Sequence, residues 1–136
     1  MESSQVATRA TLASVSPFFI VEDLRRALEF YRERLGFEVT FTAGDAEPFF
    51  ATVRRDGVQF LLKVVADSVS PQPNRTRHPH ARWDAFIHVL DPDALVAEFH
   101  GRGVAFSAPL ADTDDGLRGF EVADADGYLL FFGRPR

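Results

Sequence analysis

The chain has 136 residues, enough for one domain with a sizeable core, and its 46% hydrophobic and 26% charged residues are typical of a soluble globular protein. It contains zero cysteines, which excludes disulfides, thiolate zinc sites and cysteine nucleophiles. A formal net charge of −5 argues against a nucleic-acid partner, and apolar runs of about 18 residues, which a membrane span needs, are missing.

The first 13 residues are polar or small and show no period, so we expect a flexible N-terminal arm before a single domain at residues 14–133. The start of the chain lacks the basic flank and apolar stretch of a signal peptide. We therefore expect a cytoplasmic protein.

A first group of elements is predicted between residues 15 and 65. Asp23 is the expected N-cap of a helix whose apolar residues recur at helical spacing until Gly36. An Asp-Gly pair at 56–57 predicts a tight hairpin turn. The strands expected around these signals are 15–21, 37–41, 49–54 and 58–65.

The second half repeats this order of signals. Asp91 and Pro92 open a second helix as Asp23 opens the first, and a second Asp-Gly turn at 126–127 matches the one at 56–57. The helix start recurs after 68 residues (91 − 23) and the Asp-Gly turn after 70 residues (126 − 56), each about half the chain. The expected strands are 83–89, 104–106, 117–123 and 128–132, with a loop at 107–116. One βαβββ module is therefore used twice, at 14–65 and 83–133, with a long connection at 66–82. The fold class is α+β.

Strand alternation divides the side chains of the central strands between two faces. One set is almost wholly apolar and should pack beneath the helices: Pro17, Phe19, Val21, Phe60, Leu62, Val64, Ala85, Ile87, Val89, Tyr128, Leu130 and Phe132. The other set mixes aromatic with polar side chains, as the lining of a ligand cavity does. Its members have ordinary alternatives: His88 as a hydrogen-bonded strand histidine, Lys63 reaching to water, and the phenylalanines filling a second core.

The paired modules, the segment from Asp23 to Phe37 and the closing Asp-x-Asp-Gly-Tyr at 124–128 resemble the vicinal oxygen chelate superfamily. That superfamily contains glyoxalase I, extradiol dioxygenases, and fosfomycin and bleomycin resistance proteins. The resemblance covers residues 14–133 and implies a curved, cup-like mixed sheet with the helices outside. It specifies the fold better than the function, because the superfamily includes many chemistries.

The resemblance also locates the family's metal ligands, which lie at one position in each of four central strands. Those positions hold Ser16, Leu61, Asp84 and Phe131. Asp84 alone could bind a metal, and one carboxylate cannot fix the coordination that metal catalysis needs. We therefore expect neither a metal nor another cofactor, and no catalytic residue. A cluster of His78, His80 and Asp84 is a weaker alternative in a proline-rich loop.

The metal-free members of the bleomycin resistance type resemble small acidic dimers that sequester a cationic drug in a cleft shared between subunits. This likeness implies a homodimeric binding protein whose ligand is apolar or aromatic and possibly cationic. Stacking and apolar contact would come from Phe18, Phe41, Trp83, Phe86 and Phe131. The ligand would be oriented by Gln59, Lys63, Asp84 and His88, with Asp84 the best partner for a cation. The alternatives are a metal-dependent lyase, isomerase or dioxygenase with atypical ligands, and a structural dimer whose inner face is filled.

Overall fold

The computed structural model describes residues 8–136 and contains two βαβββ units in tandem, which confirms the predicted α+β fold. Module 1 comprises β1 (Phe18–Ile20), α1 (Leu24–Glu29), β2 (Glu38–Ala43), β3 (Phe50–Arg55) and β4 (Val58–Lys63). A short helix, α2 (Asn74–Arg77), lies in the connection. Module 2 comprises β5 (Ala85–His88), α3 (Pro92–Gly101), β6 (Ala108–Asp112), β7 (Leu117–Ala123) and β8 (Leu129–Pro135).

The eight strands are hydrogen-bonded as two four-stranded mixed sheets, in the orders β1-β4-β3-β2 and β5-β8-β7-β6. In each sheet the first pair is parallel and the other two are antiparallel. Phe18 pairs with Leu61 in module 1, and Phe86 pairs with Phe131 in module 2. By this register Phe18 is equivalent to Phe86, and Leu61 is equivalent to Phe131.

Both main helices begin at the aspartates that the sequence predicts. Asp23 Oδ1 accepts a hydrogen bond from the Arg26 amide at 3.2 Å, and Asp91 Oδ1 accepts one from the Ala94 amide at 3.1 Å. These bonds satisfy amides that have no partner within the helix. α1 continues as a π-helical turn over Phe30–Arg34 and ends before Gly36, whose φ of 75° suits glycine.

The predicted position of one strand is wrong. Residues 104–106 form no strand, and β6 instead lies at Ala108–Asp112, inside the predicted loop. β6 is an edge strand with an irregular register between Ala108 and Ala111. An edge strand tolerates Pro109, which has no N–H to donate, so the proline that suggested a loop is compatible with a strand here.

Residues 8–17 contain neither helix nor strand, and residues 8–15 are exposed. The predicted arm at 1–13 falls partly on residues 1–7, which lie outside the described residues. Within residues 8–136, each helix is too short or too polar to cross a bilayer.

One hydrophobic core extends through both modules and is built from the predicted helix-facing side chains, among them Phe19, Phe60, Tyr128 and Phe132. The modules are also joined by a buried hydrogen bond, in which the Tyr31 hydroxyl donates to Asp124 Oδ2 at 2.7 Å. Asp124 Oδ1 accepts from the amides of Asp126 and Tyr128, both at 2.9 Å. Burial is the main cause that raises the pKa of Asp124 to about 6.

Asp124→Asn should remove a component of the pH dependence of stability. Between the ordinary pKa of 3.8 and about 6, the folded state retains a proton that the unfolded state releases. The stability from Asp124 is thus fully present below pH 3.8 and is lost as the pH rises past about 6. We expect the free energy of unfolding of the wild type, relative to the variant, to fall by about 2 kcal/mol between pH 4 and pH 7 in urea titrations. A pH-independent difference would contradict this, and Asp45→Asn on an exposed loop is the control.

Candidate functional site: two aromatic clusters on the open sheet faces

The first cluster lies on module 2 and consists of Trp83, Phe86 and Phe131. The rings of Trp83 and Phe131 are stacked, with centroids 4.2 Å apart and planes 24° apart. Phe86 lies 5.3 Å from Phe131 and 5.8 Å from Trp83. Phe131 is buried at 4% exposure, whereas Phe86 is 45% exposed. Phe131 therefore supports the other two rings, which present the accessible aromatic surface.

A buried carboxylate, Glu121, fixes the orientation of this cluster. It pairs with Phe131 across β7 and β8. Its Oε2 accepts a hydrogen bond from the Trp83 indole Nε1–H at 2.9 Å, and its Oε1 accepts from Arg82 at 2.8 Å and from the Ser107 hydroxyl at 3.1 Å. The side chain of Glu121 is 4% exposed. A partly buried indole N–H needs such an acceptor, so Glu121 holds Trp83 in its stacked orientation.

Two paired glycines form the surface on which Phe131 rests. Gly119 and Gly133 lie opposite each other in β7 and β8. A Cβ on Gly119 would lie 2.6 Å from Phe131 Cζ and 2.4 Å from the Phe132 carbonyl oxygen. A Cβ on Gly133 would lie 2.5 Å from Phe131 Cε2. The absence of side chains at both positions therefore lets the Phe131 ring approach the backbone of both strands closely.

The second cluster lies on module 1 and consists of Phe18, Phe41 and Phe50. Phe50 is central, with ring centroids 6.2 Å from Phe18 and 6.1 Å from Phe41. Phe18 is 53% exposed and Phe41 is 56% exposed. Phenylalanine rings that are grouped and exposed in this way are unusual on a soluble protein, and such groups commonly mark a binding surface.

Within one chain the two clusters stay apart. Among residues 8–136, none of the aromatic ring pairs joins a ring of one cluster to a ring of the other. A cleft of about 890 Å³ lies instead between β4, β5 and α3, and Gln59, Phe86 and His88 are among its lining residues. The five predicted aromatic residues thus divide between the two clusters.

Of the predicted polar residues, Gln59 donates from Nε2 to the Ser16 hydroxyl at 3.2 Å. The Lys63 ammonium lies 6.0 Å from the ring centre of Phe49, at the end of β4. His88 is exposed at the end of β5. Lys63 also lies opposite Phe50 of the second cluster in the β3–β4 pair, whereas Gln59 and His88 line the cleft together with Phe86 of the first. The predicted polar residues are therefore divided between the two regions.

Asp84 has a structural role that the sequence did not indicate. Its Oδ1 accepts the Asn74 amide at 2.8 Å, and its Oδ2 accepts the Leu129 amide at 2.8 Å. The carboxylate thereby fastens α2 to the start of β8. Both oxygens accept backbone donors, so a ligand cation would share a carboxylate that already has a structural role, and the prediction that Asp84 is its best partner stays a prediction.

The four positions of the family's metal ligands do not fit a metal ion in this chain. Leu61 and Phe131 have no donor atom, and the Phe131 ring is covered by Trp83. The Asp84 oxygens are engaged, and the Ser16 hydroxyl accepts from Gln59. In the part of the chain that the structure describes, groups of three or more His, Cys, Asp or Glu side chains suited to a metal are absent.

Glu121 and Phe50 are the site residues that sequence reasoning missed. A signal for Glu121 exists, because alternation in 117–123 places it opposite the apolar Phe120 and Val122. Its partners Arg82 and Trp83, however, are 39 and 38 residues distant in the chain. Phe50 stands in a run of two phenylalanines, so its face depends on the exact strand register.

The chain matches the model of the glyoxalase/bleomycin resistance protein/dioxygenase superfamily over residues 11–132. A comparison with curated protein sequences finds no match. Among solved structures, the bleomycin-binding protein from bleomycin-producing Streptomyces verticillus, complexed with copper(II)-bleomycin, is similar with 25% identity and a TM-score of 0.68, over 94% of this chain and 100% of that one.

Two further structures show how widely the fold is shared. TnmS3, an antibiotic binding protein from Streptomyces sp. CB03234, has 21% identity and a TM-score of 0.64, over 93% of this chain and 100% of that one. Lactoylglutathione lyase from Agrobacterium tumefaciens has 15% identity and a TM-score of 0.65, over 92% and 95%. The repeated modules, the paired sheets and the match over most of the chain lead to one conclusion: the chain belongs to the glyoxalase/bleomycin resistance protein/dioxygenase superfamily.

Proposed function

We propose that this protein is a metal-independent small-molecule binding protein that holds an apolar or aromatic, possibly cationic ligand between its two aromatic clusters. The observation that carries the proposal is the exposure of Phe18, Phe41 and Phe86, at 53%, 56% and 45%. Burying these rings against a ligand would remove apolar surface from water, which stabilises a complex by about 25 cal/mol per Å².

The separation of the clusters suggests how the site is completed. A second copy related by a twofold axis would place the module 1 cluster of one chain opposite the module 2 cluster of the other. Such a homodimer has two identical sites, because a twofold contact is self-complementary. The ligand would then lie between Phe18 and Phe41 on one side and Trp83 and Phe86 on the other. We place the dimer in the cytoplasm.

A cationic aromatic ligand suits the charges and rings on this surface. The aromatic faces attract a cation through their quadrupoles, with Trp the strongest of the three ring types. The net charge of −5 attracts such a ligand over longer distances. Glu121 supports this arrangement indirectly, since it fixes the Trp83 ring that the ligand would contact.

Two similar structures support the binding role over the enzyme alternative. One binds copper(II)-bleomycin and the other is an antibiotic binding protein. The chain has poor donors at the positions of the family's metal ligands, which disfavours a metal-dependent lyase, isomerase or dioxygenase.

Trp83, the one tryptophan of the chain, makes the proposal testable by fluorescence. Titration with bleomycin and with a set of aromatic cations should give a saturable change in Trp83 fluorescence with at least one of them. Phe18→Ala should weaken that binding about tenfold, because Phe18 belongs to the module 1 cluster, which would contact the ligand from the side opposite Trp83. Val69→Ala, at an exposed position outside both clusters, is the matched control.

Two outcomes would reject the proposal. One is the lack of a saturable change with every probe, and the other is near-stoichiometric metal in protein purified without chelator. Analytical ultracentrifugation should show a dimer, and the fluorescence titration should saturate at one ligand per chain.

A further inference from the structure

The two modules meet at two pseudo-equivalent contacts, each formed by a hairpin turn of one module and the helix start of the other. We call these contacts the Tyr128 seam and the Val58 seam. At the Tyr128 seam, the β7–β8 turn packs against β1 and α1. At the Val58 seam, the β3–β4 turn packs against β5 and α3. By the strand registers and the order of elements, Val58 is equivalent to Tyr128, Ile87 to Phe19, and Ala94 to Arg26.

The Tyr128 seam is closed by an aromatic ring and an arginine. The ring of Tyr128 stacks on Phe19 with centroids 4.1 Å apart and planes 7° apart, and its hydroxyl donates to the Ile20 carbonyl at 2.6 Å. Beside it, the Arg26 guanidinium lies 3.4 Å from Asp126 Oδ1. The side chain of Asp126, which precedes its turn glycine as Asp56 does, is 2% exposed.

The Val58 seam has smaller side chains at each of these positions. Valine replaces the tyrosine ring, isoleucine replaces the phenylalanine, and alanine replaces the arginine. The cleft of about 890 Å³ lies here, and Val58, Ile87 and Ala94 line it. Asp56, the counterpart of Asp126, is 93% exposed at its rim, and its Oδ2 lies 4.0 Å from Arg55 Nε in a long, exposed ion pair. The smaller side chains at residues 58, 87 and 94 leave open the space that Tyr128, Phe19 and Arg26 fill at the other seam.

The walls of this cleft contain buried aromatic rings and an ion pair between the two modules. Its deeper part is formed by the buried rings of Phe60, Phe99 and Phe132. At one side, Arg55 forms a two-bond ion pair with Glu98, with distances of 2.6 and 2.8 Å, and also donates to the Leu35 carbonyl at 2.8 Å. This bidentate pair, which is stronger than a neutral hydrogen bond, joins the two modules at the side of the cleft.

We propose that the Val58 seam is a second ligand site, which binds a small aromatic amine whose ring and cation take the places that Tyr128 and Arg26 occupy at the other seam. The ring would pack on Ile87 over the buried phenylalanines, and the ammonium would approach the Asp56 carboxylate at the rim. Phe86 is the residue that this site shares with the module 2 aromatic cluster, while Trp83, Phe18 and Phe41 do not line it.

Tyramine, which combines a phenol ring with a primary amine, is a suitable probe. Calorimetry or ligand-detected NMR on the full chain should give saturable binding of one tyramine per chain, with a dissociation constant of about 1 mM or tighter for a molecule of this size. Para-cresol, which lacks the amine, should bind more weakly, and the difference should shrink at high salt.

Two substitutions copy the closed seam into the open one. Val58→Tyr supplies the ring, and Ala94→Arg supplies the cation. Each should weaken tyramine binding at least tenfold while leaving the thermal midpoint of unfolding unchanged or raised. Val65→Tyr, an exposed position after β4 that does not line the cleft, is the matched control and should bind tyramine like the wild type.

These experiments distinguish the Val58 seam from the ligand site proposed between the two aromatic clusters. Val58→Tyr should keep whatever response Trp83 shows to bleomycin, because Val58 belongs to neither aromatic cluster. The proposal is overturned if the wild type shows no saturable tyramine binding, as expected if another copy or the N-terminal segment fills the cleft. It is also overturned if folded Val58→Tyr and Ala94→Arg proteins bind tyramine as the wild type does.

Discussion

Gly119→Ala should lower the free energy of unfolding by about 3 kcal/mol, the upper part of the range for overpacking a close-packed interior. The added Cβ would lie 2.4 Å from the Phe132 carbonyl oxygen and 2.6 Å from Phe131 Cζ. Two backbones that already pair in the sheet cannot separate by a few tenths of an ångström without weakening the β7–β8 ladder. The Phe131 ring would also be pushed into Trp83.

The matched control is Gly101→Ala, because a Cβ there has no neighbour within 4 Å. Gly101 is exposed in α3, where alanine is preferred over glycine by about 0.5–1 kcal/mol. Urea denaturation should therefore show opposite signs for the two glycine substitutions. If Gly119→Ala cost less than about 1 kcal/mol, the close contact between β7, β8 and Phe131 would be wrong.

Glu121→Leu should destabilise the protein by about 2–3 kcal/mol and should also release Trp83 from its stacked position. The substitution keeps the volume but leaves the indole N–H, the Arg82 guanidinium and the Ser107 hydroxyl without their acceptor. Arg82 is 58% exposed and can turn to water, so the larger part of the loss comes from the indole and the hydroxyl.

Two measurements test this prediction. The free energy of unfolding gives the stability, and a red shift of the Trp83 emission reports its exposure. Glu47→Gln is the control, because its ion pair with Arg25 is exposed on both sides, at 83% and 68%, and such pairs contribute about 0–1 kcal/mol. An unshifted emission maximum in folded Glu121→Leu would show that stacking on Phe131 alone holds the indole.

Local signals in the sequence were sufficient for much of the fold. Asp23 and Asp91 each accept a hydrogen bond from the amide three residues later, and each Asp-Gly turn involves about four consecutive residues. Both signals are therefore local and can be recognised without tertiary structure. β6 was misplaced for the opposite reason. Its acceptance of Pro109 depends on its position at the edge of a sheet, which is known only once the strand order is known.

The candidate site was less accessible to sequence reasoning. Alternation predicts Phe18 and Phe86 on the open faces, but it cannot show that their clusters make no ring contact with each other within residues 8–136. Asp84 was expected to meet a cation, yet its oxygens accept amides 10 and 45 residues away. Packing decides which acceptor a buried donor finds, so alternation can indicate the face of Glu121 but cannot identify Arg82 and Trp83 as its partners.

The unequal contacts between the modules bear on how a duplicated protein diversifies. An internal duplication starts with two identical junctions, and each would contribute equally to holding the halves together. Here the junction at Tyr128 and the ion pair of Arg55 with Glu98 hold the halves together, so residues 58, 87 and 94 contribute less to the contact between the modules. Substitutions at those three positions should consequently cost less stability than substitutions at their counterparts Tyr128, Phe19 and Arg26, so the open junction can change its lining without separating the halves.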